Sequence, residues 1–164
     1  MFDVLVYVYE NYWRGDACPE SGLLERKLVA AGFDAEEIAQ ALHWLDGLHM
    51  ASHHTELIDL RQTSSVAWHA SSQSLRVYSV AEQDHLGAEC LGFLGFLESA
   101  RVISPHLREI VLDRAMAIPH AAGDSMRLDE FKLIVLMVHW SFGLEPDALV
   151  LDELCDDGSG RLAH

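Results

Sequence analysis

The chain has 164 residues, of which 50% are hydrophobic and 23% are charged. This composition is enough for a hydrophobic core and excludes a disordered chain. Eleven Lys and Arg residues oppose 26 Asp and Glu residues, which gives a formal net charge of −15. Phosphate backbones and anionic membranes are bound through Lys and Arg, so this charge disfavours a nucleic-acid duplex or a membrane as the partner. It favours a protein partner with a basic surface.

Cysteine usage and the N-terminal residues indicate the compartment. Cys18, Cys90 and Cys155 are far apart and odd in number, which favours reduced thiols over a disulfide framework. The opening MFDVLVYVYE has an acid at position 3 and no basic segment, so we expect no signal peptide. The longest apolar run, at 133–138, is too short to span a bilayer. We therefore predict a cytoplasmic protein.

The first fifty residues predict three helices. Residues 2–13 are rich in β-forming side chains, but their apolar positions fall near helical spacing and favour a helix. A second helix is expected over 20–31, because Gly32 is a good residue to end it. Asp34 is placed to cap a third helix over 34–49, which has apolar residues along one face.

Two short segments after these helices are typical of β-strands. They are LIDL at 57–60 and LRVY at 75–78, separated by a Ser-rich stretch that predicts a hairpin loop. Three helices followed by a β-hairpin is the order of a winged helix. We therefore predict a winged-helix-like half over residues 1–79.

The rest of the chain is expected to be helical. Ser79 and Glu82 form a capping-box pattern that starts a helix ending near residue 100. Gly92 and Gly95 lower the helix propensity there, so we expect another helix to approach that face closely.

Three more helices are expected after it. Ser104 and Pro105 begin one that ends before Pro119, and the segment 128–142 forms the next. Because 128–142 is apolar on nearly every side, it is expected at the centre of the protein or at a partner interface. A last helix is expected to start at Pro146 and end near residue 155.

The predicted fold class is therefore mainly α. It comprises the winged-helix-like half, with three helices and a small β-hairpin, and a helical bundle half over 80–157. The polar segment 158–164 is predicted to be a tail.

Several apolar segments together resemble the Smg family of bacterial proteins, and they span nearly the whole chain in order. The segments are MFDVLVYVYENY, GFLGFLE, REIVLDRAMAI, FKLIVLMVHW and LAH. The resemblance implies no settled activity and no catalytic residues. The family's association with genes of DNA processing implies a nucleic-acid-related pathway. His139 departs from the family pattern, in which an aliphatic residue is usual.

Histidines raise the question of a metal site. His49 and His53 would lie at i and i+4 of a continued helix, with His54 beside them, and that spacing suits zinc. No further ligand completes the set locally, so a solvated His-rich loop is the simpler interpretation. We predict no metal and no cofactor, with this one group left open. His139 is expected to be a core histidine with one hydrogen-bond partner.

The helix-turn-helix order is typical of DNA-binding proteins, but the charge of its second helix does not favour DNA binding. The expected DNA-reading helix over 34–49 contains Asp34, Glu36, Glu37 and Asp46 and no Lys or Arg, so its exposed face would repel phosphates. Downstream arginines at positions 101, 108, 114 and 127 alternate with acids, which favours surface ion pairs over a basic strip.

The C-terminal segment 145–157 has six acids and no basic residue, with apolar residues between them. An acidic helix with an apolar stripe can dock into a basic, apolar groove, although an ordinary solvated helix face is the simpler interpretation. The candidate partner-binding residues are Asp34, Glu36, Glu37, Asp152, Glu153, Asp156, Asp157 and Leu162.

The sequence contains no nucleophile motif, Gly-rich phosphate loop or recognisable catalytic carboxylate pair. We therefore expect a non-catalytic protein-interaction adaptor or regulator, whose partner belongs to a nucleic-acid-related pathway. We expect no direct DNA or RNA binding and no membrane binding, and homo-oligomerisation stays open. The alternatives are a nucleic-acid-binding winged helix and an enzyme with an unrecognised site.

Overall fold

The computed structural model describes residues 1–12, 20–61, 76–120 and 123–144, with the backbone alone described over 53–61. Within these ranges the chain forms six helices and no β-strand. The helices are α1 (Phe2–Tyr12), α2 (Ser21–Ala31), α3 (Ala35–Arg61), α4 (Val80–Ser99), α5 (Pro105–Met116) and α6 (Leu128–Ser141). None of the described helices is both long enough and apolar enough to cross a membrane.

The mainly α prediction is confirmed, but the winged-helix prediction is wrong. The segment 57–60, expected to be a strand, belongs to the last turns of α3, and residues 76–78 form no strand. α3 continues past position 49 because MASHHTELIDLR contains neither Gly nor Pro, and each added residue gains a helical hydrogen bond. The expected hairpin loop lies at 62–74, outside the described residues.

α6 lies at the centre of the fold, as its apolar composition predicted. It contacts α1, α3, α4 and α5. From Phe131 to His139 every residue except Leu133 is buried, including Lys132. Helices α1 and α3 therefore share a core with α5 and α6 across residue 79. The division of the chain at that position stays a prediction.

The turn between α2 and α3 follows its sequence signals. Gly32 ends α2 in the left-handed conformation, with φ 93°, and the amide of Phe33 donates to the carbonyl of Leu28. The Asp34 carboxylate accepts a hydrogen bond of 2.8 Å from the amide of Glu36. The predicted end of α2 and cap of α3 are confirmed.

α3 and α5 meet at a close contact. The indole Nε1 of Trp44 donates to the carbonyl of Arg114 at 2.9 Å. A Cβ atom placed on Gly47 would lie 2.0 Å from the Arg114 guanidinium, so the missing side chain makes room for that arginine. Ser104 and Pro105 begin α5 as predicted, with the Ser104 hydroxyl accepting from the amide of Leu107.

α4 begins at the predicted capping box, in which the Ser79 hydroxyl accepts from the Glu82 amide and the Glu82 carboxylate accepts from the Ser79 amide. The expected close approach at Gly92 and Gly95 is wrong, because no described atom lies within 4 Å of a Cβ placed on either. The break in α4 falls at Gly87, whose φ of 71° and ψ of 172° are non-helical.

Candidate interaction site

An acid-rimmed groove of about 430 Å³ lies between α1 and α6. We call it the α1–α6 groove. Its apolar lining is formed by Phe2, Val6, Tyr9, Leu133 and Leu136, and its charged rim by Asp3, Glu10, Arg127, Asp129 and Glu130. Its four carboxylates outnumber its single guanidinium.

The groove exists because α1 is apolar on two faces. Val4, Leu5 and Val8 are fully buried and join the core. The residues at positions 2, 6 and 9 recur at helical spacing on another face, where Val6 is 39% exposed. Residues 129, 133 and 136 of α6 have the same spacing, so two helical stripes line one groove.

Arg127 provides the positive charge of the groove. Its guanidinium lies 3.1 Å from the Glu130 carboxylate and 3.3 Å from the Asp129 carboxylate, and its side chain is 67% exposed. The hydrogen bond that the Arg127 guanidinium donates to the Glu130 carboxylate, together with the charges of both acids, raises the pKa of Arg127. Asp3 of α1 contributes to the same rise, which shows that its charge also acts on this guanidinium.

The predicted acids of α3 lie close to the start of α1. Asp34 and Glu36 are exposed at the first turn of α3. Glu37 is half-buried and its carboxylate lies 3.0 Å from the amine of Met1, the residue before the groove lining begins. The other predicted contacts, Asp152, Glu153, Asp156, Asp157 and Leu162, lie outside the described residues.

Sequence reasoning did not single out the groove residues. The available signal was the run VLVYVY, which places apolar side chains on more of the helix than one buried face requires. A second signal was the near-uniform apolarity of 128–142, for which a partner interface was one expectation. The pairing of α1 with α6 depends on contacts between distant segments.

Most described arginines are engaged with carboxylates. Arg76 lies 2.6 Å from Glu82 and 3.1 Å from Glu109, and Arg108 lies 2.5 Å from Glu98. The expected surface ion pairs are thus confirmed at Arg108, and also at Arg114, which lies 2.7 Å from Asp113, and at Arg127. These pairs neutralise charge that a phosphate backbone would otherwise use.

The histidine predictions have different outcomes. His139 is 2% exposed, with Nδ1 2.9 Å from the carbonyl of Val135 and Nε2 3.4 Å from that of Val102. It is a core histidine, as expected, but it contacts two carbonyls instead of one. His49 is exposed, whereas the side chains of His53 and His54 lie outside the described part of the chain.

Among the side chains that the structure describes, no three His, Cys, Asp or Glu residues are grouped so that they could hold a metal ion without rearrangement. Cys90 is buried, and burial raises the pKa of its thiol to about 12, so the reactive thiolate is disfavoured.

The comparisons with known proteins agree with the segment pattern of the sequence. A family model described as "Protein of unknown function (DUF494)" matches residues 1–164. The chain belongs to this family, which we call the Smg family. The predicted resemblance is confirmed.

Relatives named "Protein Smg homolog" align with the chain over the full length of both sequences. Those of Leptothrix cholodnii and Methylibium petroleiphilum are each 54% identical to it, and that of Herminiimonas arsenicoxydans is 48% identical. No solved structure matches the chain. The family description assigns no activity and no catalytic residue.

Proposed function

We propose that this protein is a non-catalytic adaptor or regulator, which binds a basic amphipathic helix of another protein in the α1–α6 groove. The observation that carries the proposal is the combination of an apolar lining with an acidic rim on one concave surface. Helical peptides bind such grooves through apolar residues at i, i+3 or i+4, and i+7. Lys and Arg beside those anchors would meet the rim carboxylates.

The rim explains how such a partner would be held. Long Lys and Arg side chains can lay their aliphatic stems along apolar surface while their charged ends reach outward. Val6 and Leu133 supply apolar surface, and Asp3, Glu10 and Asp129 supply the opposing charge. The exposed acids at the start of α3 extend the negative field toward the same end of α1.

The charge distribution supports a protein partner over a nucleic-acid partner. Eleven basic residues face 26 acids, and Arg76, Arg108, Arg114 and Arg127 each lie within 4.0 Å of a carboxylate. Lys132 is buried in α6. Direct duplex binding would need several of these charges to contact phosphates at once. We place the adaptor in the cytoplasm and its partner in a nucleic-acid-related pathway.

Affinity purification of the tagged full chain from its host, with and without nuclease, tests the proposal. The variants Asp3→Lys and Glu10→Lys reverse charge on the rim of the groove. Glu89→Lys, at an exposed position on α4, is the matched control with the same change in net charge. Circular dichroism establishes that all three variants fold.

We expect the wild-type protein and Glu89→Lys to retain a stoichiometric protein partner after nuclease treatment. The two groove variants should lose most of it. Equal recovery of the partner by all four proteins would refute the groove as the binding site. Partners that disappear with nuclease would instead favour the nucleic-acid alternative, and recovery of the protein alone would contradict the adaptor proposal.

A further inference from the structure

A separate cavity of about 490 Å³ lies between the first half of α4 and the chain that follows α5. Its polar lining consists of Asp84, His85, His120 and Asp124. These residues belong neither to the α1–α6 groove nor to the His49 group considered from the sequence. We call this cavity the His85–His120 pocket.

The break in α4 builds one side of the pocket. The non-helical backbone at Gly87 interrupts the helix just after His85. The carbonyl of His85 instead accepts a hydrogen bond of 2.8 Å from the amide of Met126. The carbonyl of Met126 lies 3.4 Å from the Cys90 thiol, and Ser125 packs against Gly87. The segment before α6 is thereby fixed against α4.

The position of His85 selects one tautomer of its ring. Its Nε2 atom lies 3.1 Å from the carbonyl of Ala115, so Nε2 carries the proton and donates it to that oxygen. The neutral ring then has its lone pair on Nδ1. Histidines that bind metals commonly donate their other ring N–H to a backbone carbonyl in this way, which fixes the ring orientation.

His120 provides the second imidazole. Its Nε2 atom is buried and has no hydrogen-bond partner among the described residues. Buried polar atoms normally have a partner, so the unpaired nitrogen of this pocket-lining ring is a candidate ligand atom.

The two rings are spaced for a shared ion. The centroids of His85 and His120 are 4.6 Å apart, and the ring planes are inclined by 60°. Two imidazoles bound to one ion through nitrogens at about 2.0–2.1 Å have centroids about 4.5–5.2 Å apart for ligand angles between 90° and tetrahedral.

We propose that the His85–His120 pocket binds a Zn²⁺ ion through Nδ1 of His85 and Nε2 of His120. In the described geometry, no third side chain lies close enough to these two nitrogens to bind the same ion. Asp84 and Asp124 are exposed residues in the pocket lining, and in this proposal one of their carboxylates rotates to become the third ligand, with water completing the coordination. Imidazole and carboxylate together favour zinc and its transition-metal neighbours over Mg²⁺.

The test uses the full chain without a histidine tag. Zn²⁺ binding is followed by calorimetry, and Co²⁺ is the spectroscopic substitute because its visible spectrum reports nitrogen and oxygen ligands. The variants His120→Gln and His85→Gln remove the two proposed ligands, while Asp84→Asn and Asp124→Asn identify the carboxylate. His43→Gln, at an exposed position on α3, and His49→Gln are the controls.

We expect one Zn²⁺ per chain and at least a tenfold loss of affinity in His120→Gln and His85→Gln, with the controls unchanged. One of the two Asp variants should also weaken binding. Equal Zn²⁺ binding by the His120 variant and the wild-type protein, or no Zn²⁺ binding at millimolar concentration, would overturn the proposal. Because Nε2 of His120 makes no described hydrogen bond, the His120 variant remains informative if the His85 variant fails to fold.

Discussion

The three glycines of α4 occupy different backbone conformations and packing environments. Gly92 and Gly95 adopt ordinary helical geometry and have open space where a Cβ would lie. Gly87 has φ 71° and ψ 172°, and a Cβ there would lie 3.2 Å from the Ser125 hydroxyl. Only Gly87 occupies a conformation that side chains of L-residues rarely adopt.

Substituting alanine at these positions should therefore have opposite effects. Gly87→Ala is expected to lower the free energy of unfolding by about 1–3 kcal/mol, because the strained backbone and the contact with Ser125 both oppose a side chain. Gly92→Ala should raise it by about 0.5–1 kcal/mol through helix propensity. Urea unfolding followed by circular dichroism measures both changes. Equal effects would contradict the environments described above.

Interactions between residues close in the sequence could be predicted, whereas interactions between distant residues could not. The Ser79 and Glu82 capping box and the Gly32 helix end were predictable, because each involves residues within one turn. The role of Gly87 was not predictable, because it depends on Ser125. The contact between His85 and His120 likewise joins residues that only the folded chain brings together.

At the scale of elements, α3 shows why the β-propensity of residues 57–60 led to a wrong strand prediction. The segment LIDL at 57–60 contains apolar and β-branched residues, and in isolation it resembles a short strand. It follows 22 helical residues of α3, so helix extension needs no new nucleation. The helix over 128–142 was predictable because its length and apolar content both favoured a central position.

The start of α4 should make stability depend on pH. The hydrogen bond from Arg76, with those from Ser79, lowers the pKa of Glu82 from 4.5 to about 2. A carboxyl group whose pKa is lower in the folded than in the unfolded protein stabilises the fold at pH values above its unfolded-state pKa. That stabilisation is lost as pH falls from about 4.5 toward about 2.

Arg76→Ala should therefore destabilise the protein on the order of 2 kcal/mol at pH 7 and much less at pH 2. The measurement is urea unfolding of the variant and the wild-type protein across this pH range. Arg26→Ala, at an exposed position on α2, serves as the control and should show no such pH-dependent difference. A loss of stability in Arg76→Ala that is the same at both pH values would exclude the ion pair as its cause.

Across the described molecule, the apolar core and the acidic side chains occupy different regions. The apolar residues of α6 meet four other helices in the core, whereas no Asp or Glu side chain that the structure describes is buried. Arg76 joins Glu82 at the start of α4 to Glu109 of α5, and Arg108 of α5 pairs with Glu98 at the end of α4. The α1–α6 groove combines exposed apolar surface with excess negative charge, which makes it the surface best suited to a basic helix.

Removing the positive charge of the groove should strengthen binding of a basic helix. The probe is a synthetic amphipathic peptide of Leu and Lys, followed by fluorescence anisotropy at 50 and 200 mM salt. Arg127→Gln is expected to bind it roughly twofold to fivefold more tightly at low salt, because one exposed opposing charge contributes up to about 1 kcal/mol. The gain should shrink at the higher salt concentration as screening increases.

Arg26→Gln changes the net charge by the same amount at an exposed position outside the groove lining, so it separates a local effect from a global one. If the groove is the binding site, Arg26→Gln should leave the peptide affinity within error of the wild-type value. Equal strengthening by both variants would mean that the peptide responds to overall charge alone. A labelled DNA duplex should remain unbound by all three proteins at 200 mM salt, because the ion-paired arginines cannot release counterions from it.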